Sequence, residues 1–266
     1  MGTTQTRDLG YWELGFAVDA APFCFVESRH AAGERIGLHR HDTPHLSIVI
    51  KGGFQEASGP HDRECPAGAV VVHPGDDAHS DRIGPDGAVC LNILVQDASL
   101  DQAFLETFAS ERVVLENKIC RRAGHLYRML GRKNRQRALA DEALEFFGLL
   151  SREPRPGRTP PKWLREIADR LNEEPVCALN LAELAAAANV HPVHLSRSFF
   201  AFYRMTLGDH RRKRRIEWAR DQLSDGNLSL AHIASDAGFC DQAHFTRAFR
   251  TRFGMTPAAF RRAAEI

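Results

Sequence analysis

The sequence lacks a long apolar run, a C-x-x-C pair and a secretory signal. No stretch approaches the roughly 20 apolar residues that a helix needs to cross a bilayer, which excludes a membrane-spanning protein. The six cysteines lie far apart, which excludes a dense disulfide framework and predicts reduced thiols. Together these absences predict a soluble, cytoplasmic protein.

The near-zero net charge of +1 hides an uneven distribution along the chain. Residues 1–110 contain 7 basic and 16 acidic side chains, whereas residues 111–266 contain 28 and 18. A basic C-terminal part favours contact with nucleic acid, although two domains of opposite charge would also attract each other.

Helix signals are scarce between residues 11 and 94, where short apolar or alternating runs follow one another. Gly, Pro and Asp separate these runs at the spacing of an antiparallel β-sandwich or barrel. The fold class predicted for the chain is therefore an all-β N-terminal domain, followed by helices and an all-α C-terminal domain. The four runs are APFCFVESRH, LSIVIKGGF, GAVVVHP and AVCLNILVQD.

The C-terminal part contains one pattern twice, at residues 180–205 and again at residues 229–255. Matching residues are 49 apart in the first half of the pattern and 50 apart in the second half. The extra residue is expected in the turn between two short helices, where an insertion costs least. Asn180 with Glu183 is typical of a capping box, and Ser229 is a suitable N-cap.

The second helix of each copy has a buried and an exposed face at 100° per residue. Apolar residues form the inner stripe, Leu195, Phe199 and Phe202 in copy one and Phe245, Phe249 and Phe253 in copy two, so polar and small residues remain for the outer one. Amide, guanidinium and small side chains suit base edges in a DNA major groove. The candidates are Val193, Ser196 and Arg197 in copy one, and Gln242, Ala243, Thr246 and Arg247 in copy two.

A basic run, RRKRR at residues 211–215, lies between the two copies on a predicted long helix. A charge run is usually a solvated face, but this one joins two candidate DNA-binding helices, which favours phosphate contact. The arginines predicted to make this contact are Arg211, Arg212, Arg214 and Arg215.

Residues 163–262 resemble the AraC/XylS transcription regulators. The segments that carry the resemblance are LAELAAAANVHPVHLSRSF and IASDAGFCDQAHFTRAFRTRFGMTP. The resemblance implies two helix-turn-helix units joined by a long helix, with base contacts on the second helix of each unit. Val193 and Ala243 depart from it, because relatives often carry longer side chains there, and base contacts from copy one are expected to be few.

Two histidine-containing patterns in the N-terminal part resemble the cupin motifs. The first is G-x5-H-x-H-x3-H-x6-G from Gly33 to Gly52, and the second is G-x5-P-G-x3-H from Gly68 to His79. The resemblance implies a cupin-like barrel whose histidines converge on one divalent ion, a set suited to Zn, Fe, Ni or Mn. Such a barrel can also keep its cavity for an organic ligand alone. The implied ligands are His39, His41, His45 and His79; other histidines, such as His30, His61 and His73, are predicted to be surface or packing residues.

These patterns predict four segments. Residues 1–98 form the cupin-like effector-binding barrel. Residues 99–152 form a helical connector that either mediates a homodimer or packs on a neighbouring domain. A semi-rigid linker, residues 153–161, is rich in proline, and residues 162–266 form the DNA-binding domain.

The leading functional prediction is a one-component transcription regulator. It would bind promoter DNA, sense a small molecule or a metal, and contact RNA polymerase if it is an activator. A metal-dependent cupin enzyme with an accessory DNA-binding domain is the alternative from another class. A DNA-repair sensor with a reactive cysteine is disfavoured, because the N-terminal region has no cysteine cluster.

Overall fold

The computed structural model divides the chain into two compact units, Met1–Glu153 and Pro154–Ile266. It describes residues 13–59, 61–76, 78–96, 108, 112–130, 136–150, 159–176, 179–224 and 228–264. No helix in these ranges is both long and apolar enough to span a membrane.

Unit 1 is built on one antiparallel sheet in the order β1-β2-β7-β4-β6-β8, with β3 paired to β7 and β5 paired to β4. Within the described ranges the end strands β1 and β8 do not pair with each other, so the sheet is not closed there into the predicted barrel. The strands are β1 (Glu13–Ala20), β2 (Phe23–His30), β3 (Arg35–Arg40), β4 (His45–Ser58), β5 (His61–Pro66), β6 (Val70–His73), β7 (Ala78–Val95) and β8 (Arg112–Val114).

The two longest strands, β4 and β7, pair along most of their length and bend at register shifts between Val49 and Lys51 and between Gly52 and Phe54. Gly52 has φ +69°, and a Cβ there would lie 1.9 Å from the carbonyl oxygen of Gly87. Only glycine fits this close approach. The bend lets each long strand pair with different neighbours at its two ends.

Two helices pack on the sheet of unit 1, α1 (Asn117–Leu130) and α2 (Gln136–Leu150). The ring of Phe147 stacks on Phe23 with centroids 5.1 Å apart, and the Tyr127 hydroxyl donates to Glu27 Oε2 at 2.6 Å. Packing on the sheet was one of the two predicted uses of these helices, and the homodimer stays a prediction.

The connector was predicted to be helical throughout, which is wrong at β8. Residues Arg112–Val114 form a strand that pairs with β6. The β-branched Val113 and Val114 suit an edge strand, which explains why the neighbouring sheet overrides the helical pattern. The part of the predicted connector before β8, residues 99–111, lies outside the described residues, apart from Phe108.

The described residues of unit 2 form helices and turns. One long helix, α6 (Leu207–Ser224), joins two pairs of shorter helices, as the repeat predicts. The helices are α3 (Lys162–Glu173), α4 (Leu181–Ala187), α5 (Pro192–Tyr203), α6 (Leu207–Ser224), α7 (Leu230–Asp236), α8 (Gln242–Phe253) and α9 (Pro257–Ala264).

Both predicted caps are present. The Glu183 amide donates to Asn180 Oδ1 and the Asn180 amide donates to Glu183 Oε2, each at 2.8 Å, while Ser229 Oγ accepts from the His232 amide at 3.1 Å. These bonds satisfy amides that have no partner inside their helices.

Candidate nucleic-acid interface and metal centre

The turn between the two helices has the same backbone geometry in both copies. Each turn contains a residue in the left-handed conformation, which is Asn189 at φ 53° in copy one and Gly238 at φ 72° in copy two. The amide of the next residue donates to a carbonyl of the first helix. Val190 donates to Ala185 at 3.0 Å, and Phe239 donates to Ala234 at 2.9 Å. The repeat offset changes from 49 to 50 just after Phe239, so the extra residue lies in the turn where the sequence predicted it.

Helix α8 is fixed by its apolar face. Phe245 and Phe249 are fully buried in a cluster with residues of α6 and α7. Asp241 caps the helix by accepting a hydrogen bond from the His244 amide. That bond lowers the pKa of the Asp241 carboxyl, so the cap is anionic at neutral pH.

The opposite face of α8 is open. Gln242, Ala243 and Arg247 are exposed, and Thr246 is half-buried. An exposed amide, a methyl group and a guanidinium group therefore share the first two turns of one helix. This is the set of groups that can distinguish base pairs in the major groove.

Helix α5 exposes fewer of its predicted base-contacting side chains than α8 does. Val193 and Ser196 are 0% and 2% exposed, so their predicted placement on the DNA-facing side is wrong. Ser196 precedes Phe199 by three residues, which puts it only about 60° from that buried ring around the helix. Arg197 is half-exposed, as is His194, which the sequence interpretation did not include.

The basic run on α6 divides into two kinds of arginine. Arg214 donates to Glu217 at 2.8 Å and to the Asn172 carbonyl at 3.2 Å, and Arg215 donates to the Gly238 carbonyl at 3.5 Å. Both therefore brace unit 2 internally. Arg212 is exposed and donates to the half-exposed Asp209 at 3.2 Å, while Arg211 is half-exposed.

Glu217 on α6 links the long helix to copy two. Its carboxylate accepts from Arg214 and, at 3.2 Å, from Arg252 on α8. Burial alone would raise the pKa of Glu217, but the hydrogen bonds from Arg252 and Arg214 outweigh it and keep the pKa below its ordinary value.

The family described as "Helix-turn-helix domain" matches residues 184–263. The probable transcription factor PqrA of Proteus vulgaris is 38% identical over 100 residues, which cover 38% of this chain and 78% of PqrA. The regulatory protein SoxS of Escherichia coli K12 is 31% identical over 99 residues, covering 37% of this chain and 86% of SoxS. The chain belongs to the AraC/XylS family of DNA-binding transcription regulators.

One further relative is matched over much less of its own length. The transcriptional regulator GlxA of Rhizobium meliloti is 37% identical over 84 residues, and the chain spans only 26% of it. Among solved structures, fatty-acid-bound ToxT from Vibrio cholerae aligns with 92% of this chain and 97% of its own, at 11% identity and a TM-score of 0.39.

A second candidate site lies inside unit 1, where strand register gathers histidines. His39 on β3 pairs with His79 on β7, and His45 on β4 pairs with His73 on β6. His41 follows His39 by two residues and contacts both His39 and His45. The four predicted histidines are therefore close together, and His73 joins them.

The five imidazoles form a closed ring of contacts, which we call the histidine cluster. The ring stacking of His45 on His73 is nearly parallel, with centroids 4.4 Å apart and an interplanar angle of 13°. The centroid distances of the other neighbouring pairs are 4.9 Å (His39–His41), 4.7 Å (His41–His45), 4.8 Å (His73–His79) and 4.3 Å (His39–His79). The exposed fractions are 8% for His39, 6% for His41, 2% for His45, 3% for His73 and 3% for His79.

The donor geometry of the cluster fits a metal ion. One ligand atom each from His39, His41 and His79 lie within 4.8 Å of one another. Nδ1 of His39 is 3.0 Å from the Gly37 carbonyl oxygen and Nδ1 of His45 is 3.2 Å from that of Thr43. A carbonyl acceptor fixes the proton on Nδ1 and leaves Nε2 as the ligand atom, the arrangement usual for metal-binding histidines.

The cluster is also electrically suited to a cation. Burial, together with the neighbouring histidines, lowers the pKa of His45 to about 3, although its bond to Thr43 opposes the shift. Burial likewise keeps the pKa of His73 well below its usual range. Both imidazoles are therefore neutral at pH 7 and offer lone pairs.

Free space among these side chains is small. The cavity has a volume of about 30 Å³. One water needs roughly 10–15 Å³, so an ion or two to three waters fit, whereas pockets for organic ligands are far larger.

The buried thiols of unit 1 are unreactive. Burial raises the pKa of Cys24 and of Cys90 to about 12. Protonated thiols are poor nucleophiles, which argues against these two cysteines as reactive sensors.

Proposed function

We propose that this protein regulates transcription by placing α8 and α5 in adjacent major-groove segments of double-stranded promoter DNA. The exposure of Gln242, Ala243 and Arg247 on α8 carries the proposal. Glutamine can bind adenine and arginine can bind guanine through two hydrogen bonds each, and alanine can contact the methyl group of thymine. Arg197 is the corresponding base-contacting residue of α5.

Phosphate contacts in this proposal come mainly from Arg211 and Arg212. Arg214 and Arg215 support the same surface from within, because their guanidinium groups bind Glu217 and backbone carbonyls. Two adjacent major-groove segments on one face lie about 34 Å apart, one turn of DNA.

Selection of binding sequences from a random DNA pool tests this proposal. The expected result is a motif with two conserved blocks about 10 base pairs apart, bound more weakly as salt rises. Recovery of no enriched motif, with equal affinity for all sequences, would contradict it.

For unit 1 we propose a cupin-like sensor in which the histidine cluster binds a divalent ion, with Zn, Fe, Ni and Mn as candidates. The fixed Nδ1 protons of His39 and His45 support a metal, and the small cavity favours an ion over an organic effector. A bound cation would join β3, β4 and β7 and so make the stability of unit 1 depend on metal.

Elemental analysis of the purified protein, followed by DNA titrations with and without a chelator, tests the sensor. The expected result is bound metal and a chelator-dependent change in operator affinity. His79→Ala should abolish that dependence, whereas the matched change at the exposed His61 should preserve it. Absence of metal, with identical DNA affinity in chelator, would contradict the proposal.

The remaining partners follow from the regulator role. We propose that the protein acts in the cytoplasm, contacts RNA polymerase if it is an activator, and forms a homodimer through unit 1. An organic small-molecule effector in place of the ion would have to bind outside the 30 Å³ cavity.

A metal-dependent cupin enzyme is the second candidate, favoured by Glu56, which lines the same cavity as the histidines and could serve as an acid or base. Oxygen and substrate consumption by the iron-loaded protein would support a dioxygenase. Turnover at the level of free iron would reject it.

A further inference from the structure

A second set of metal donors lies beside the predicted one. Glu56, His73 and His79 each offer one ligand atom, and these atoms lie within 4.8 Å of one another. All three side chains are buried, Glu56 to 1% exposure. Glu56 lies outside the two cupin-like motifs that suggested the first set, and His73 occupies an unspecified position of the second motif.

Strand register brings the three side chains together. On β4, Glu56 lies two residues before Ser58, which pairs with His79 on β7, so Glu56 and Ser58 share a face. His73 ends β6 and pairs with His45 at the other end of β4, and the bend in β4 brings its Nε2 to 3.7 Å from Glu56 Oε2. Three adjacent strands thus each supply one donor, which holds the set in place without a loop.

The chemistry of this set differs from that of the first. Two imidazoles and one carboxylate form the donor combination typical of Fe²⁺ sites with open positions, and zinc accepts the same ligands. The set of His39, His41 and His79 offers imidazoles alone, whereas Glu56 adds a carboxyl group, which as an anion would partly offset the charge of a bound dication.

We propose that Glu56, His73 and His79 form a second binding position for a divalent metal ion. This inference rests on the proposed sensor role of the histidine cluster and specifies which residues hold the metal. The two positions share His79, so substitutions of the residues that belong to only one position distinguish metal binding at the two.

A zinc-binding comparison of four proteins tests the second position. Four proteins are loaded with Zn²⁺, freed of excess metal and analysed for zinc per chain. They are the wild type, the double variant His39→Ala/His41→Ala, the double variant with Glu56→Gln added, and the surface control His61→Ala. His39→Gln/His41→Gln provides a less disruptive form of the double variant, and thermal unfolding identifies any protein that fails to fold.

We expect the double variant to keep one zinc per chain and the added Glu56→Gln to remove it or to weaken its affinity at least 10-fold in a chelator competition. A folded double variant without zinc, beside a wild type that binds it, would overturn the second position and leave the sensor proposal intact. Zinc retained after Glu56→Gln would also overturn it. A wild type that binds no zinc would overturn both.

Discussion

The two helix-turn-helix copies of unit 2 share a backbone but differ in what they expose. Both have a left-handed residue in the turn and a fully buried phenylalanine, Phe199 or Phe249, at equivalent positions. Copy two exposes Gln242, Ala243 and Arg247, whereas copy one buries Val193 and Ser196. The comparison teaches that the repeat conserves the packing face, while specificity depends on residues that the repeat leaves free to differ.

The largest expected effect concerns the shared face. Phe249→Ala and Phe199→Ala should each lower the free energy of unfolding by about 3–5 kcal/mol, because each removes a buried ring. Denaturant titration of both variants measures this. A loss below about 1 kcal/mol in one copy only would break the equivalence of their cores.

The exposed faces should respond unequally. Gln242→Ala should weaken binding to the selected operator by about 1–3 kcal/mol and relax the base preference at one position. Ser196→Ala is the control in copy one and should leave operator affinity within about twofold, since its side chain is buried. Gel-shift titrations compare the two, and the reverse order would contradict the assignment of faces.

Substitutions at the helix caps should have a smaller effect on stability. Asn180→Ala removes one of the two hydrogen bonds of the capping box, and Ser229→Ala removes the hydrogen bond from the His232 amide. Each removes one side-chain bond to an amide of the first turn, so each should cost about 0.5–2 kcal/mol of stability. Equal melting temperatures for wild type and Asn180→Ala would show that the box adds nothing.

The smallest effect concerns the link from α6 to copy two. Glu217→Gln should cost about 1 kcal/mol at neutral pH, because the acceptor of Arg252 and Arg214 loses its charge. Since the folded pKa of Glu217 is depressed, its contribution is present above the ordinary carboxyl pKa and is lost as pH falls through the lowered value. The variant should therefore lose less stability than wild type on acidification below about pH 4.5, as measured by thermal unfolding at several pH values.

Sequence patterns predicted unit 2 well because its signals are local. Capping residues, helical periodicity and the repeated turn act over a few residues, and all of them fix the backbone. Helical phase was less reliable for faces, since Ser196 lies close to the border of the buried stripe.

Unit 1 was harder to predict because its site depends on strand register. The i, i+2 spacing of His39 and His41 could be seen in the sequence, whereas the pairing of His45 with His73 could not. His73 directly precedes the Pro-Gly of the second cupin-like motif, yet it is only β6 lying against β4 that brings it to His45. Glu56 is 11 residues beyond His45 along the bent strand β4, too far for a local motif to include it.

The most direct test of the difference between the copies compares Arg247→Ala with Arg197→Ala on the selected operator, by gel-shift titration at one salt concentration. Arg247 is exposed and Arg197 is half-exposed, so the α8 variant should lose about 5- to 160-fold in affinity and the α5 variant less. Wild-type affinity in Arg247→Ala would contradict the assignment of α8 as the main base-contacting helix.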